Sequence, residues 1–343
     1  MTMRPLVHIG MAKAASTFLQ LEVFPNAEGL RNLGKLQVPD ELRTAGMALT
    51  RRTSADWNFA KFSQPFHAAL AAAEGCGLRP VLSNEDLSVY KFLDPEMMAR
   101  RLRDILGAFD VLLLIREPTS WVRSHYLFRL EHQNPVAALG FDHWLRTHLE
   151  SRRIGSDVLE ISYCALARTY EMICGGTIHI LPYELMRSDK GRFALELSEI
   201  LGTPEDPLRA LLDAPPKASG HKLRITKIQQ EFYELFRWVV LEQPARAEAE
   251  IRAILSRSGT LPLTAALDET LRDVAAAPLI DRKAWAGVFR AAAGLFHGED
   301  EAAVPDIPDD MAKLLNDVAR MQIRQLKVNH NFDLASYGLT YST

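Results

Sequence analysis

Between Asp110 and Arg116 the chain reads Val-Leu-Leu-Leu-Ile, five apolar residues in a row, and Pro118 follows closely. Successive side chains of a strand point to opposite faces, so a strand apolar at every position needs cover on both. That places the run at the centre of a parallel sheet between two layers of helices. Leu6–Ile9, Arg79–Ser83 and Thr177–Leu181 read as further short strands. Helical patterns separate them, at Pro95–Leu106, from Pro118 to about His132, from about Asp157 to Ile173, and at 191–201. Strands alternating with helices predict an α/β fold, a three-layer parallel sheet with right-handed crossovers. Ligands of such sheets gather at the carboxyl ends of the strands. Lys13, Glu85 and Arg116 each follow a predicted strand and are expected at one edge.

The first of these strands runs into Gly10-Met-Ala-Lys-Ala-Ala-Ser-Thr17. A strand, a turn of small residues and a helix beginning near Ser16 or Thr17 form an anion cradle, in which free N–H groups and the helix dipole face the ligand. The small side chains of Ala12, Ala14 and Ala15 let a phosphate approach the backbone, while Lys13 adds a mobile charge and Ser16 and Thr17 add hydroxyls. Laid on the triphosphate-binding pattern G-x-x-x-x-G-K-[ST], the lysine position is occupied by Ser16 and the second glycine by Ala15. The lysine has moved forward to Lys13, which argues against an ATPase or GTPase. The remaining pattern, I-G-x-x-K-x-x-S-T, resembles the phosphosulfate loop of sulfotransferases that use 3′-phosphoadenosine 5′-phosphosulfate (PAPS). That loop usually carries Gly where this chain has Ala15.

A second motif, Arg116-Glu-Pro-Thr-Ser-Trp-Val-Arg-Ser-His-Tyr126, opens the helix after the central strand. Ser124 lies about two helical turns beyond Arg116, a spacing that can bring a guanidinium and a hydroxyl to one phosphate. A helix start with a buried arginine and a core-facing Tyr126 explains the stretch equally well when it is taken alone. The stretch resembles the 3′-phosphate segment R-[DN]-P-x-x-x-x-x-S-x-Y of the same sulfotransferases, with Glu117 at the Asp or Asn position. Leu181-Pro-Tyr-Glu-Leu185 and the closing 329–339 also resemble segments of bacterial members, and the likeness covers about the first 200 residues. It implies a P-loop-like nucleotide site holding PAPS and releasing 3′,5′-adenosine bisphosphate. Lys13, Ala14, Ala15, Ser16, Thr17, Arg116 and Ser124 would bind the nucleotide, and the basic loop Lys217–Lys222 would close the site. It further implies transfer of a sulfonate group to a hydroxyl, or to an amine, with no metal. A P-loop-like small-molecule kinase and a non-catalytic adenine-nucleotide binder are the competing readings, the first needing Asp86 or Glu117 as a magnesium ligand.

Besides Lys13, the catalytic candidate is Glu85, in the polar turn Ser83-Asn-Glu-Asp86; the same residue could instead cap the next segment or pair with a cation. His8 is expected to point into the core or the sheet, and His125 lies about 100° around the helix from Ser124. Residues 26–64 mix turn residues, cations and aromatics, which suits either a substrate-facing cap or a surface excursion. Beyond 215 only helices are predicted, so the chain divides into a core over 1–215 and a helical extension over 216–343 packed on it. A net charge of −3 leaves no global attraction for nucleic acid. The N-terminus carries no signal-peptide pattern and no run is long enough to span a bilayer. Cys76, Cys164 and Cys174 form no C-x-x-C pair and read as reduced core thiols, and the 10 histidines form no metal motif. A cytoplasmic protein acting on a small-molecule, glycan or lipid acceptor is expected.

Overall fold

The computed structural model describes residues 3–11, 13–88, 94–132, 134–150, 162–214, 227–257, 265–277, 280–293 and 306–339. They form two compact units. The first comprises Met1–Trp121, Arg152–His221 and Ala312–Thr343, and contains the sheet. Its strands are β1 (Leu6–His8), β2 (Leu30–Asn32), β3 (Arg79–Ser83), β4 (Phe109–Ile115) and β5 (Gly175–Pro182). All pair in parallel, in the order β2-β3-β1-β4-β5.

Val111, Leu112, Leu113, Leu114 and Ile115 of β4 have no exposed surface. Neighbouring residues face opposite sides of the sheet, so both faces are covered, as the apolar run requires. The covering helices of this unit include α2 (Asp40–Arg51), α3 (Phe59–Gly75), α4 (Pro95–Leu106), α8 (Tyr163–Cys174) and α10 (Lys190–Leu201). At the amino ends of the strands, the buried Arg79 donates to Asp110 at 2.7 Å and to the carbonyls of Arg4 and Ile200, fastening β3 to β4.

The region 26–64 is more regular than its sequence suggested, holding β2, α2 and the first turns of α3. α3 continues through Pro65, and the side chain of Asn58 accepts from the Lys61 N–H at its start. Cys164 and Cys174 are buried thiols, but Cys76 is exposed at the end of α3, so the expectation of a core thiol fails there.

The second unit, Val122–Ser151 with Lys222–Met311, is helical throughout its described residues. It takes most of α5 (Pro118–Glu131) together with α6 (Pro135–Ala138) and α7 (Phe141–Glu150). Its later helices include Lys227–Glu234, Phe236–Val240, Pro244–Arg257, Ala265–Ala276 and Arg282–Ala293. Trp144, Tyr126 and Phe141 form one aromatic core, and Phe236, Trp285 and Phe289 form another. Among the described residues no helix is long and apolar enough to cross a membrane.

Candidate active site

After β1 the chain crosses to β2 on one side of the sheet, and after β4 it crosses to β5 on the other. The loops of these adjacent strands therefore diverge, leaving the crevice in which open α/β sheets hold ligands. Lys13 lies in the loop after β1 and Arg116 in the loop after β4. Arg116 Nη1 donates to the Lys13 carbonyl at 2.5 Å and so ties the two loops together.

The loop has an unusual backbone. Lys13 (φ 66°) and Ala15 (φ 61°) both sit in the left-handed region, on either side of Ala14. This is the conformation glycine adopts without strain and an L-residue adopts only at a cost. The Ala14 N–H donates to the Met11 carbonyl, and so does the Ser16 hydroxyl, at 3.1 Å. Ser16–Phe18 then turns as α-helix and continues as a π-helical turn, Leu19–Val23. No side chain among the described residues caps the amides at its start.

Gly10 is required by close packing. A Cβ there would come within 2.3 Å of His8 Nε2 and 2.8 Å of Ser16 Oγ. His8 is fully buried, with Nδ1 2.7 Å from Ser83 Oγ at the end of β3, and Nε2 has no hydrogen-bond partner among the described residues. Burial, partly opposed by Glu85, lowers its pKa to about 4, so the ring is neutral at pH 7. His8 thus points into the sheet, as expected.

Arg116 is 9% exposed and lies over the Tyr183 ring, 4.8 Å from its centroid. Its Nε and Nη2 both donate to Ser120 Oγ, at 3.2 and 2.8 Å. A guanidinium has five N–H groups; three are spent on Ser120 and Lys13, and two remain for a ligand. Tyr163 donates its hydroxyl to the Arg116 carbonyl. Glu117 caps α5, one oxygen accepting from the Thr119 N–H at 2.8 Å and the other from the Ser120 N–H at 2.6 Å. Ser124 lies one turn beyond Ser120 on the same helix, in the second unit.

Glu85 opens the 3₁₀ turn Glu85–Ser88 after β3. It accepts from Gln20 Nε2 at 2.8 Å and from Lys35 Nζ at 3.0 Å. Burial by itself would raise its pKa, but the Lys35 charge and these hydrogen bonds outweigh it and hold the carboxyl below its ordinary value. Lys35 is raised: burial opposes its charge, but Glu85 and Asp86 more than compensate. Asp86 lies 3.3 Å from Lys35 and 3.6 Å from Arg51. Lys217 and Lys222 lie outside the described residues, as does Ala12.

Sequence reasoning missed Ser120, Gln20, Lys35 and the stacking Tyr183. Ser120 stands four residues after Arg116, one helical turn, and could have been found; Gln20 and Lys35 carry no local signal.

No protein-family model matches the chain and no curated protein matches it. Among solved structures, a sulfotransferase from Alicyclobacillus acidocaldarius is similar at 15% identity with a TM-score of 0.42, over 74% of this chain and 97% of that one.

Proposed function

We propose that this protein is a sulfotransferase that moves the sulfonate group of PAPS to a hydroxyl, or to an amine, of an acceptor. The observation that carries this reading is the tie from Arg116 to the Lys13 loop across the crevice between β1 and β4. It sets an arginine with two unspent N–H groups beside a loop of uncapped amides, and each can hold one of the nucleotide's two separated anionic ends. Their residue types fit PAPS, with Arg116 at the 3′-phosphate and the 13–17 loop at the phosphosulfate. Bound PAPS supplies the sulfonate. Lys13 and the loop amides stabilise the charge left on the bridging oxygen, and Glu85, ionised at neutral pH, takes the proton of the acceptor group. Transfer of this kind rests on positioning and charge stabilisation.

The acids that a magnesium-dependent kinase would need are otherwise engaged. Glu117 spends both oxygens on the amides of α5, and Asp86 is held by Lys35 and Arg51. Lys217 and Lys222 are proposed to close the nucleotide site.

Thermal denaturation with 3′,5′-adenosine bisphosphate and with ATP and magnesium tests the proposal. A ligand at about 100 times its Kd stabilises a folded protein by about 2.7 kcal/mol, a shift easily seen. The bisphosphate is expected to raise the midpoint. Stabilisation by ATP and magnesium alone would overturn the sulfotransferase reading in favour of a kinase.

A further inference from the structure

The helix that leaves the Lys13 loop carries a buried glutamine. Its second part, Leu19–Val23, is a π-helical turn, in which the Phe24 N–H reaches back to the Leu19 carbonyl at 2.8 Å. Such turns are rare and recur at functional sites. Gln20, in this one, is 2% exposed. An amide buried that deeply costs free energy unless it finds a partner. Its Nε2 donates to Glu85 Oε2 at 2.8 Å.

The sheet brings Glu85 to that helix. β3 pairs with β1, His8 standing opposite Ser83, and the Asn84 N–H continues the ladder to the His8 carbonyl at 3.2 Å. The Ser88 hydroxyl, at the end of the Glu85 turn, lies 3.4 Å from the Gly10 carbonyl that it bonds. The turn is therefore fastened to the start of the anion loop. Gln20 ties it to the loop's far end as well, one helical turn beyond Ser16.

The two oxygens of Glu85 have different donors, Gln20 on Oε2 and Lys35, at 3.0 Å, on Oε1. Two donors fix both the position and the plane of a carboxylate, where one would let it swing. Each oxygen still keeps a lone pair for a proton. Of the other charged groups around Glu85, Asp86 is held by Lys35 and Arg51, and His8 of β1 is neutral at pH 7. The Gln20 hydrogen bond joins the Lys35 charge in holding the Glu85 carboxyl below its ordinary value against the effect of burial.

We propose that Gln20 is a positioning residue for the base, holding the Glu85 carboxylate in a fixed place and plane relative to the Lys13 loop. The role rests on the sulfotransferase reading. Lys35 supplies charge, and Gln20 supplies registration: one helix presents the anion cradle at its start and the tie to the base one turn later. A misplacement of about 1 Å in such a group can cost roughly 10²-fold in rate.

Release of sulfate from PAPS with water as the acceptor tests it on the full chain. The water oxygen bonds to sulfur as the bridging S–O bond breaks, its proton passes to Glu85, and 3′,5′-adenosine bisphosphate leaves. Gln20→Met keeps the length and bulk of the side chain but removes the N–H donor. It should lower kcat about 10- to 100-fold with the KM for PAPS unchanged. It should also move the acid limb of the pH–rate profile upward, because the ionised carboxylate loses a hydrogen bond. A second measurement needs no turnover. In ¹³C spectra of labelled glutamate carboxyls, with the Glu85 signal identified by its loss in Glu85→Gln, Glu85 should titrate lowest in the unaltered protein. It should titrate higher in Gln20→Met, and higher still in Gln20→Glu, where a second carboxylate faces it. The same titration in all three proteins, or a defect of Gln20→Met confined to KM, would overturn the proposal. Titrations in the expected order with no sulfate released by the unaltered protein would overturn the sulfotransferase reading instead.

Discussion

Replacing Ala15 by glycine should stabilise the protein, which is rare for a mutation to glycine. Ala15 holds φ 61° and ψ 10°, and Lys13 two residues before it holds φ 66°. A left-handed backbone costs an L-residue roughly 1–2 kcal/mol, which glycine does not incur. Against this, glycine gives the unfolded chain extra freedom worth about 0.4–1 kcal/mol. The difference favours Ala15→Gly by about 0.5–1 kcal/mol, or a midpoint rise of about 1 °C for a protein of this size. Nothing else should change, since the methyl group removed makes no hydrogen bond. The opposite substitution nearby supplies the contrast. Gly10→Ala would push a methyl to 2.3 Å from His8 Nε2 and should destabilise by about 1–3 kcal/mol. Differential scanning calorimetry of the two variants gives both numbers. If Ala15→Gly lowers the midpoint by more than a degree, the loop does not carry the strain assigned to it.

Two further predictions concern protons. Glu85 titrates below its ordinary range because Lys35 faces it, so turnover that uses Glu85 as base should persist to unusually low pH and fall only as the carboxylate protonates. Lys35→Gln should move that acid limb upward, and Glu85→Gln should lower kcat about 10²-fold with nucleotide affinity kept; a pH–rate profile unmoved by Lys35→Gln would remove Glu85 from the base role. His8 is depressed to about 4 in the fold, so the unfolded chain binds the proton more readily between pH 6.5 and 4, and stability falls as pH falls through that window. At about 1.4 kcal/mol per pH unit, the loss between pH 7 and pH 5 is about 2 kcal/mol, and urea titrations of His8→Gln should show a correspondingly flatter dependence.

Sheet and crevice were legible for a specific reason. β1, β3 and β4 are short runs ending at turns and buried at nearly every position, which leaves them no other conformation, whereas the edge strand β5 is buried only at its carboxyl end. The strand that escaped notice, β2, is Leu-Arg-Asn, only partly buried, and exists because β3 offers it a ladder. α3 begins at Phe59, inside the region whose sequence mixes turn residues with aromatics, and accommodates Pro65 within its first two turns. Arg116 was legible as the residue leaving the central strand. Its hydroxyl partner, Ser120, was equally legible, being one helical turn beyond Arg116, although the eight-residue spacing points to Ser124. The environment of Glu85 lies beyond local reasoning altogether, since Gln20 and Lys35 reach it from 65 and 50 residues away.

The central claim is that Arg116 recognises the 3′-phosphate of an adenine nucleotide beside the Lys13 loop. The most direct measurement is calorimetry of 3′,5′-adenosine bisphosphate and of 5′-adenosine monophosphate, on the unaltered protein and on Arg116→Ala. The unaltered protein is expected to prefer the bisphosphate, and Arg116→Ala to weaken it by about 2–4 kcal/mol, roughly 30-fold or more, while the monophosphate loses far less. Equal weakening of both nucleotides, or a protein that never distinguished them, would contradict it.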